Sequence, residues 1–507
     1  MDNANLQLEP EEEIDYIFPS VELLDVVSPP EEVDEEELKA VSELIRLKLV
    51  GFGIQIESVL VTPGPVITTY ELVPSTGSEI GRIVSLHRDL ALALKEKGER
   101  VAISGSGKGT ATVEIPNSRR LLVSLREIIN SSKFKDATGI LPMAMGEMTS
   151  GAVFVDDLSR MPHLLIAGTA GSGKTVFIDA LLTSLLYRVH PSDVKFILID
   201  PTRLNLAVYG KLNHHFLAIS PDIDEDIVTT PNNAVLMLKG VELEMEKRYE
   251  RLAVAGVRNL ADYNERLKQG RLHDTESLMH RKLPSMVLVI TELADLMTAT
   301  AREIEAPIAH LAKLGRAVGI HLVLATHRPS ADILTGDIKA DIPARVSFRT
   351  VSRLDSTTIL DMNGAEELLG SGDMLFLPPD TRNTLRIQGP RVTLDEVERV
   401  VTHIAKQKGF SHPTTLPSVF EKPNGATAFD GVDRDELFEE AAKIVVRHQQ
   451  GSVSLLQRRL KIGYSRTARL MDELEAGGIV GPFDGSKARE VLVETDAELD
   501  TILRSLR

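Results

Sequence analysis

A chain of 507 residues, 43% of them hydrophobic and 26% charged, is too long for one hydrophobic core and too apolar to be disordered. About three folded units of ~100–200 residues are expected. Cysteine is absent, which excludes disulfides, thiolate zinc sites and a cysteine nucleophile and agrees with a reducing compartment. The net charge of −17 argues against a nucleic-acid partner until its distribution is seen: fourteen Asp and Glu residues lie between Asp2 and Glu37, ahead of the first cation, Lys39. The rest of the chain is nearly balanced, so local charge decides.

Residues 1–36, acidic and Pro-rich, read as a disordered tail. Residues 37–148 read as a small α+β domain, with strands at Ile54–Val61, Val66–Leu72, Arg100–Ile103 and Thr112–Ile115 and helices at Ile83–Leu94 and Arg119–Ile129. Across residues 149–409 the apolar runs His163–Ala167, Val194–Ile199, Met286–Ile290 and His321–Ala325 alternate with helical stretches, the pattern of a parallel sheet covered on both faces in an α/β domain. A linker rich in Pro, Thr and Ser (410–431) leads to a helix-rich domain at 432–507. No window approaches the ~18 apolar residues of a membrane span, and the acidic start differs from a secretory leader. The chain is therefore expected in the cytoplasm, with recruitment to the membrane or division septum left to partners.

The run Leu164–Ala167 is followed by Gly168-Thr169-Ala170-Gly171-Ser172-Gly173-Lys174-Thr175 and then by a helix. Glycines at this spacing turn backbone N–H groups inward around phosphate oxygens, and the helix N-terminus adds positive potential. Lys174 reaches the β- and γ-phosphates of ATP, and Thr175 is placed to ligate Mg²⁺. A second buried run, Met286–Ile290, ends in Thr291 and Glu292, where a carboxylate can orient and deprotonate an attacking water. Thr291 stands where an Asp normally holds the Mg²⁺ shell, and an uncharged hydroxyl is a weaker partner for a hard cation. The strand His321–Ala325 leads to His327, a candidate sensor of the γ-phosphate. Arg316, just before that strand, is a candidate arginine finger toward a neighbouring subunit.

From Lys443 through Arg469 there are seven Lys or Arg and no Asp or Glu, a local footprint for nucleic acid. Val453–Leu460 reads as a first helix, Lys461–Tyr464 as a turn, and Ser465 as the cap of a second helix carrying Arg466 and Arg469. Pro482–Ser486 with Lys487 and Arg489 reads as a wing, making a winged helix.

Collinear stretches carry a closer resemblance: Pro63-Gly-Pro-Val-Ile67, Met161-Pro-His-Leu-Leu165, the P-loop, Ile199-Asp-Pro201, Met245-Glu-Lys-Arg-Tyr249, Gly256-Val-Arg-Asn-Leu260, Gly319-Ile-His-Leu322, Asp355–Asp361 and Gly370-Ser-Gly-Asp-Met374. From about Glu37 to its end the sequence resembles the FtsK/SpoIIIE family of DNA translocases. The resemblance implies a RecA-like P-loop ATPase motor in a homo-hexameric ring threading double-stranded DNA, with ATP sites at subunit boundaries. It further implies a role in chromosome segregation and cell division, with site-specific recombinases or divisome proteins as partners. In these terms Ile338–Arg345 resembles the pore loop, with Lys339 and Arg345 toward the DNA backbone, and the C-terminal domain resembles a reader of short orienting sequences. A secretion or conjugation coupling ATPase, or a catalytically weakened subunit that binds nucleotide and DNA, is the alternative. Thr291, Thr202 and His327 depart from the Asp, Lys and Gln usual in the family, and the family's transmembrane N-terminus is absent from this sequence.

Overall fold

The computed structural model describes residues 14–27, 35–75, 80–94, 102–106, 109–117, 121–274, 278–420, 437–460, 464–481, 489, 491–493, 495, 498–499 and 502–503. The chain divides into two compact units at Phe420.

Strand Leu164–Ala167 lies inside a nine-stranded sheet, buried along its whole length and paired in parallel with Ile320–Thr326 on one side and Ala344–Phe348 on the other. Beyond Ile320–Thr326 come Ser285–Ile290 and then Val194–Ile199, both also parallel. These strands are mostly apolar because both faces are covered, and the polar residues in them, such as Lys195, His321 and Arg345, are buried. Successive residues alternate between two cores: Leu164, Ile166, Phe196, Leu198, Val287 and Val289 lie in one, and Leu165, Ala167, Ile197, Ile199, Leu288 and Ile290 in the other, as the two-residue period of a strand requires. The first core is closed by helices Lys174–Arg188 and Leu394–Ala405, the second by Pro231–Ala255 and Leu293–Leu314.

The sheet is not wholly parallel. Past Ala344–Phe348 it continues through Asp373–Leu377, Leu385–Gln388, Pro142–Met148 and Val153–Asp157, each antiparallel to its neighbour. The expectation of a parallel sheet is corrected to a mixed one, in which helical crossovers carry the parallel half and short connections join only the hairpins Pro142–Met148/Val153–Asp157 and Asp373–Leu377/Leu385–Gln388. The P-loop strand is the topological switch point, because the chain leaves it toward one side and returns to pair on the other. In open α/β sheets such a point opens a crevice outside the carboxyl ends of the strands.

Helix Pro231–Ala255 starts at the Thr230 cap, which accepts from Asn233 N, and stops at Gly256 in the left-handed region (φ 64°). From its interior the buried Arg248 donates to Glu244 Oε1 at 2.7 Å, to the carbonyl of Pro284 at 2.8 Å and to that of Val318 at 2.9 Å. It thereby ties the helix to the starts of two core strands.

In the same unit, the antiparallel strands Ile56–Pro63, Ile67–Pro74, Thr110–Pro116 and Ala102–Ser106, in that spatial order, form a small sheet. Helices Glu35–Gly51, Ile80–Ser85 and His87–Ala93 close its own core. Arg386 joins this domain to the large sheet by pairing with Glu114 on one side and Asp373 on the other. Residues 16–25, expected as part of a disordered tail, pack on the large core: Leu24 is buried in it, Arg126 donates to the carbonyls of Val21 and Leu24, and Tyr187 Oη donates to Ser20 O. Tyr16, Val21 and Leu24 supply apolar surface that the surrounding acidic composition conceals.

The second unit, taken by itself, holds helices Phe438–His448, Val453–Leu460 and Tyr464–Ala476, with bridges between Gly451 and Arg489 and between Val480 and Val491. Its core includes Phe438, Val445, Leu456, Leu470 and Leu474. Pro482–Ser486 and Lys487 lie outside the described residues. Among the described residues no helix is long and apolar enough to cross a membrane.

Candidate active site

At the switch point the chain leaves the buried strand through Gly168, Gly171 and Gly173, at φ 145°, 71° and 122°. A side chain at Gly168 would meet Phe348 Cβ at 2.8 Å, and one at Gly173 would meet the Gly372 nitrogen at 2.8 Å. Glycine is needed there for backbone conformation and close approach alike. The loop is held from outside, where Thr169 N donates to Arg349 O at 2.8 Å and Gly372 N donates to Ser172 O at 2.9 Å, and from within, where Ser172 Oγ donates to Thr169 O at 2.6 Å. Ala170 and Gly171 remain exposed at its tip and Thr175 is exposed in the first helical turn.

Lys174 lies across the loop, donating to the carbonyls of Gly168 at 2.7 Å and Thr169 at 2.9 Å. Burial pulls its amine down to about 8, against which the Glu292 carboxylate works. Below pH 8 it is a cation held at the mouth of an anion cradle.

Glu292 stands past the end of Ser285–Ile290, two strands from the P-loop, and only 4% of it is exposed. Its carboxylate caps helix Leu293–Leu314 by accepting from Ala294 N, and it also accepts from Thr326 Oγ1 at 2.7 Å and His327 N at 2.9 Å. His327 Nδ1 makes a further short hydrogen bond with the carboxylate, and its Nε2 accepts from Arg328 Nε at 3.2 Å. The structure therefore brings together the P-loop, Glu292 and His327.

Thr291 is buried and donates to Asp200 Oδ1 at 2.7 Å. Asp200, at the end of the adjacent strand, lies in Ile199-Asp-Pro201, a stretch whose sequence carries no sign of this partner. Asp295 is exposed on the helix. Behind Asp200, Asp179 of the P-loop helix accepts from Tyr209 Oη at 3.0 Å; burial and then the charge of Asp200 push its carboxyl up to about 7. The loop Gly370–Gly372 braces the P-loop through the Gly372 N to Ser172 O bond.

Arg316 lies elsewhere. It is exposed on the turn Gly315–Val318, at the opposite end of the strands, lining a cavity of about 910 Å³ with Lys313, Arg188 and His321. Beneath it His163 and His321 cross-brace two strands: Leu322 N donates to His163 Nδ1 at 3.0 Å, and His321 Nδ1 lies 3.0 Å from Pro162 O.

Of the residues expected at DNA, Lys339 pairs with Asp361 at 2.8 Å. Arg345 is buried and donates to Ile342 O, Ile359 O, Lys339 O and Asp361, holding the loop from inside. Arg466 is exposed in the first turn of Tyr464–Ala476, and Arg469 falls one turn on. Arg489 packs on the same helix, donating to Met471 O and Glu475 Oε2.

Family profiles match in chain order: the FtsK alpha domain over residues 18–117, the FtsK/SpoIIIE family over 124–331, which spans the P-loop and Glu292, and the FtsK gamma domain over 432–494. The chain belongs to the FtsK/SpoIIIE family. Relatives within it include the DNA translocase FtsK of Chlorobaculum tepidum, 44% identical over all of this chain and 63% of its own length. The DNA translocase SpoIIIE of Bacillus subtilis is 40% identical over 95% of this chain and 60% of its own. The DNA translocase SftA of Bacillus subtilis is 42% identical over 94% of this chain and 48% of its own. The chain thus spans about three fifths of the length of the first two FtsK/SpoIIIE relatives. Met161-Pro-His163 and Gly319-Ile-His321, two of the stretches that carry the family resemblance, are the two sides of one strand contact.

Proposed function

We propose that this chain is a DNA-dependent ATPase that moves double-stranded DNA, working as a homo-hexamer in the cytoplasm during chromosome segregation and cell division. The observation that carries the reading is the meeting of the Gly168–Thr175 cradle, Lys174 and Glu292 at one switch point, in a chain whose relatives are named DNA translocases.

The cradle fits a nucleoside triphosphate: three glycines at positive φ give the loop the conformation that can turn N–H groups toward phosphate oxygens, and an exposed Thr175 follows the lysine. Thr175 and Thr291 would hold the Mg²⁺ of the nucleotide, which supplies charge neutralisation on the phosphates. Lys174 withdraws from the loop carbonyls to the phosphates. Glu292, an acceptor for all its present partners, orients and deprotonates the attacking water, and His327 fixes the carboxylate. Arg316 stands at the far end of its own sheet from its own P-loop, so its finger role requires the next subunit's nucleotide. Such a ring sets the strand-start face of one copy against the P-loop face of another.

DNA is gripped through phosphates by the loop around Lys339 and read by the exposed start of Tyr464–Ala476, a division that suits a motor working on any sequence. We place the small domain at 37–117, the motor at about 121–420 and the reader at 432–507, since Pro142–Met148 belongs to the nine-stranded sheet and Thr414–Thr415 pairs with Ala218–Ile219. Recombinase or divisome proteins fit as partners through the same family relation. ATP turnover of the purified chain, measured with and without duplex DNA, tests the reading. Stimulation by duplex is expected, and turnover indifferent to DNA overturns it.

A further inference from the structure

The strand end that a nucleotide-bound Mg²⁺ would approach presents a hydroxyl, and the charge behind it comes from another strand. Ile290 pairs in register with Ile199, so Thr291 and Asp200 are the next residues on two neighbouring parallel strands. Thr291 Oγ1 and Asp200 Oδ1 are 2.7 Å apart, and of the two only the hydroxyl has a proton to donate.

Asp200 is 1% exposed. Its remaining acceptor sites are filled by Thr202 Oγ1 at 2.6 Å, Asn205 N at 2.8 Å and Leu206 N at 3.1 Å. Every one of these partners donates, so the site is built around an ionised carboxylate. Its partners are hydroxyls, backbone N–H groups and, at 3.5 Å, the Asn205 side-chain amide rather than a cation, and a buried charge arranged in this way is costly unless a counter-charge arrives.

We propose that Asp200 is the positioning residue for the nucleotide's Mg²⁺, supplying through the Thr291 hydroxyl the negative charge that the strand end itself lacks. With its proton drawn to Asp200, Thr291 keeps its lone pairs to accept from a Mg²⁺-bound water. The carboxylate makes that oxygen a stronger acceptor, as outer-shell partners do at other metal sites. Thr202 suits this site, because a lysine there would place a cation beside the carboxylate and spend its charge. The inference rests on the reading of the P-loop as a Mg²⁺–nucleotide site.

Asp200→Asn keeps the shape and can still accept from Asn205 N and Leu206 N. Its amide group, however, donates toward Thr291 and turns the hydroxyl proton toward the cation. Binding of a fluorescent non-hydrolysable ATP analogue to the full chain, titrated with Mg²⁺ and repeated in EDTA, separates the possibilities. The half-saturating Mg²⁺ concentration should rise about 10-fold in Asp200→Asn, the low end for loss of an outer-shell partner, with affinity in EDTA unchanged. Thr291→Val should give the same rise, and the double variant no more than either, because the two act as one unit. Thr291→Asp should restore the low Mg²⁺ requirement on the Asp200→Asn background but gain little alone, where it sets two carboxylates side by side.

A Mg²⁺ requirement unchanged in Asp200→Asn and Thr291→Val, or affinity lost equally in EDTA, overturns the inference while leaving the nucleotide site standing. Binding by the unaltered chain that ignores Mg²⁺ overturns the metal reading itself.

Discussion

Two side chains at the switch point are set against their own chemistry, and each makes a test. Lys174 is a cation spent on two carbonyls of its own loop, so nucleotide phosphates have only to exchange one set of acceptors for a better one. Lys174→Ala removes charge-assisted hydrogen bonds worth about 1.5–3 kcal/mol, roughly 10- to 100-fold in nucleotide affinity. It takes no apolar contact from the core, so hydrolysis should disappear with the melting temperature unmoved. Because burial holds the free amine at about 8, nucleotide affinity of the unaltered chain should be flat below pH 8 and fall above it, and Lys174→Ala should lose that inflection. Isothermal titration from pH 6.5 to 9 measures both.

Glu292 raises the opposite question, since its carboxylate is saturated by donors. If His327 positions it, His327→Gln, whose amide also donates, should keep hydrolysis. His327→Leu should lower kcat by about 10²-fold or more, the scale of a misplaced general base, with nucleotide affinity unchanged. Equal loss of affinity and kcat in His327→Leu would show a structural role instead.

At the scale of elements, four of the five parallel strands were legible because burial on both faces leaves them mostly apolar, whereas Ala344–Phe348, with Arg345 and Ser347, was not; the P-loop was legible because its chemistry dictates its spacing. The antiparallel half was not. Pro142–Met148 contains Gly146 and a register shift, Val153–Asp157 is only partly buried, and Leu385–Gln388 carries Arg386, so none shows the pattern of a covered strand. Helix Arg119–Ile129 was placed too early: Ser124 caps it by accepting from Arg126 N, and it runs Leu125–Asn130. Asp200 stayed invisible because its partner Thr291 lies 91 residues away, and only strand order brings them together.

The His163 and His321 contact at the other strand ends has a pH consequence. Burial pulls His163 down to about 3 and His321 to about 4. The unfolded chain binds protons that these rings refuse, so their contribution to stability is fully present above about 6.5 and is lost as pH falls from there toward 4. Each histidine costs up to about 1.4 kcal/mol per pH unit in that window. His163→Asn, whose carbonyl can still accept from Leu322 N, combined with His321→Gln should be less stable at pH 7 but lose less between pH 6.5 and 5. Urea unfolding at the two pH values reads the difference, and an unchanged slope would mean that these rings are not what resists acid.

For the whole molecule the decisive fact is that Arg316 and Glu292 stand at opposite ends of the same strands. One copy cannot bring them to one phosphate without unfolding the sheet between them. If Arg316 acts on transition-state charge, Arg316→Ala should lower kcat by about 10³-fold or more with nucleotide affinity nearly unchanged. The loss should also be repairable from outside. In a ring mixed from Arg316→Ala and Glu292→Gln chains, some boundaries pair an intact Glu292 on the first chain with an intact Arg316 on the second. Neither homogeneous ring has any such boundary. DNA-stimulated turnover should therefore rise on mixing and peak near equal proportions, where boundaries between unlike chains are most frequent. Turnover that stays at the level of the two parents at every ratio would place Arg316 among the structural residues of its cavity, and the face opposite the P-loop would lose its part in catalysis.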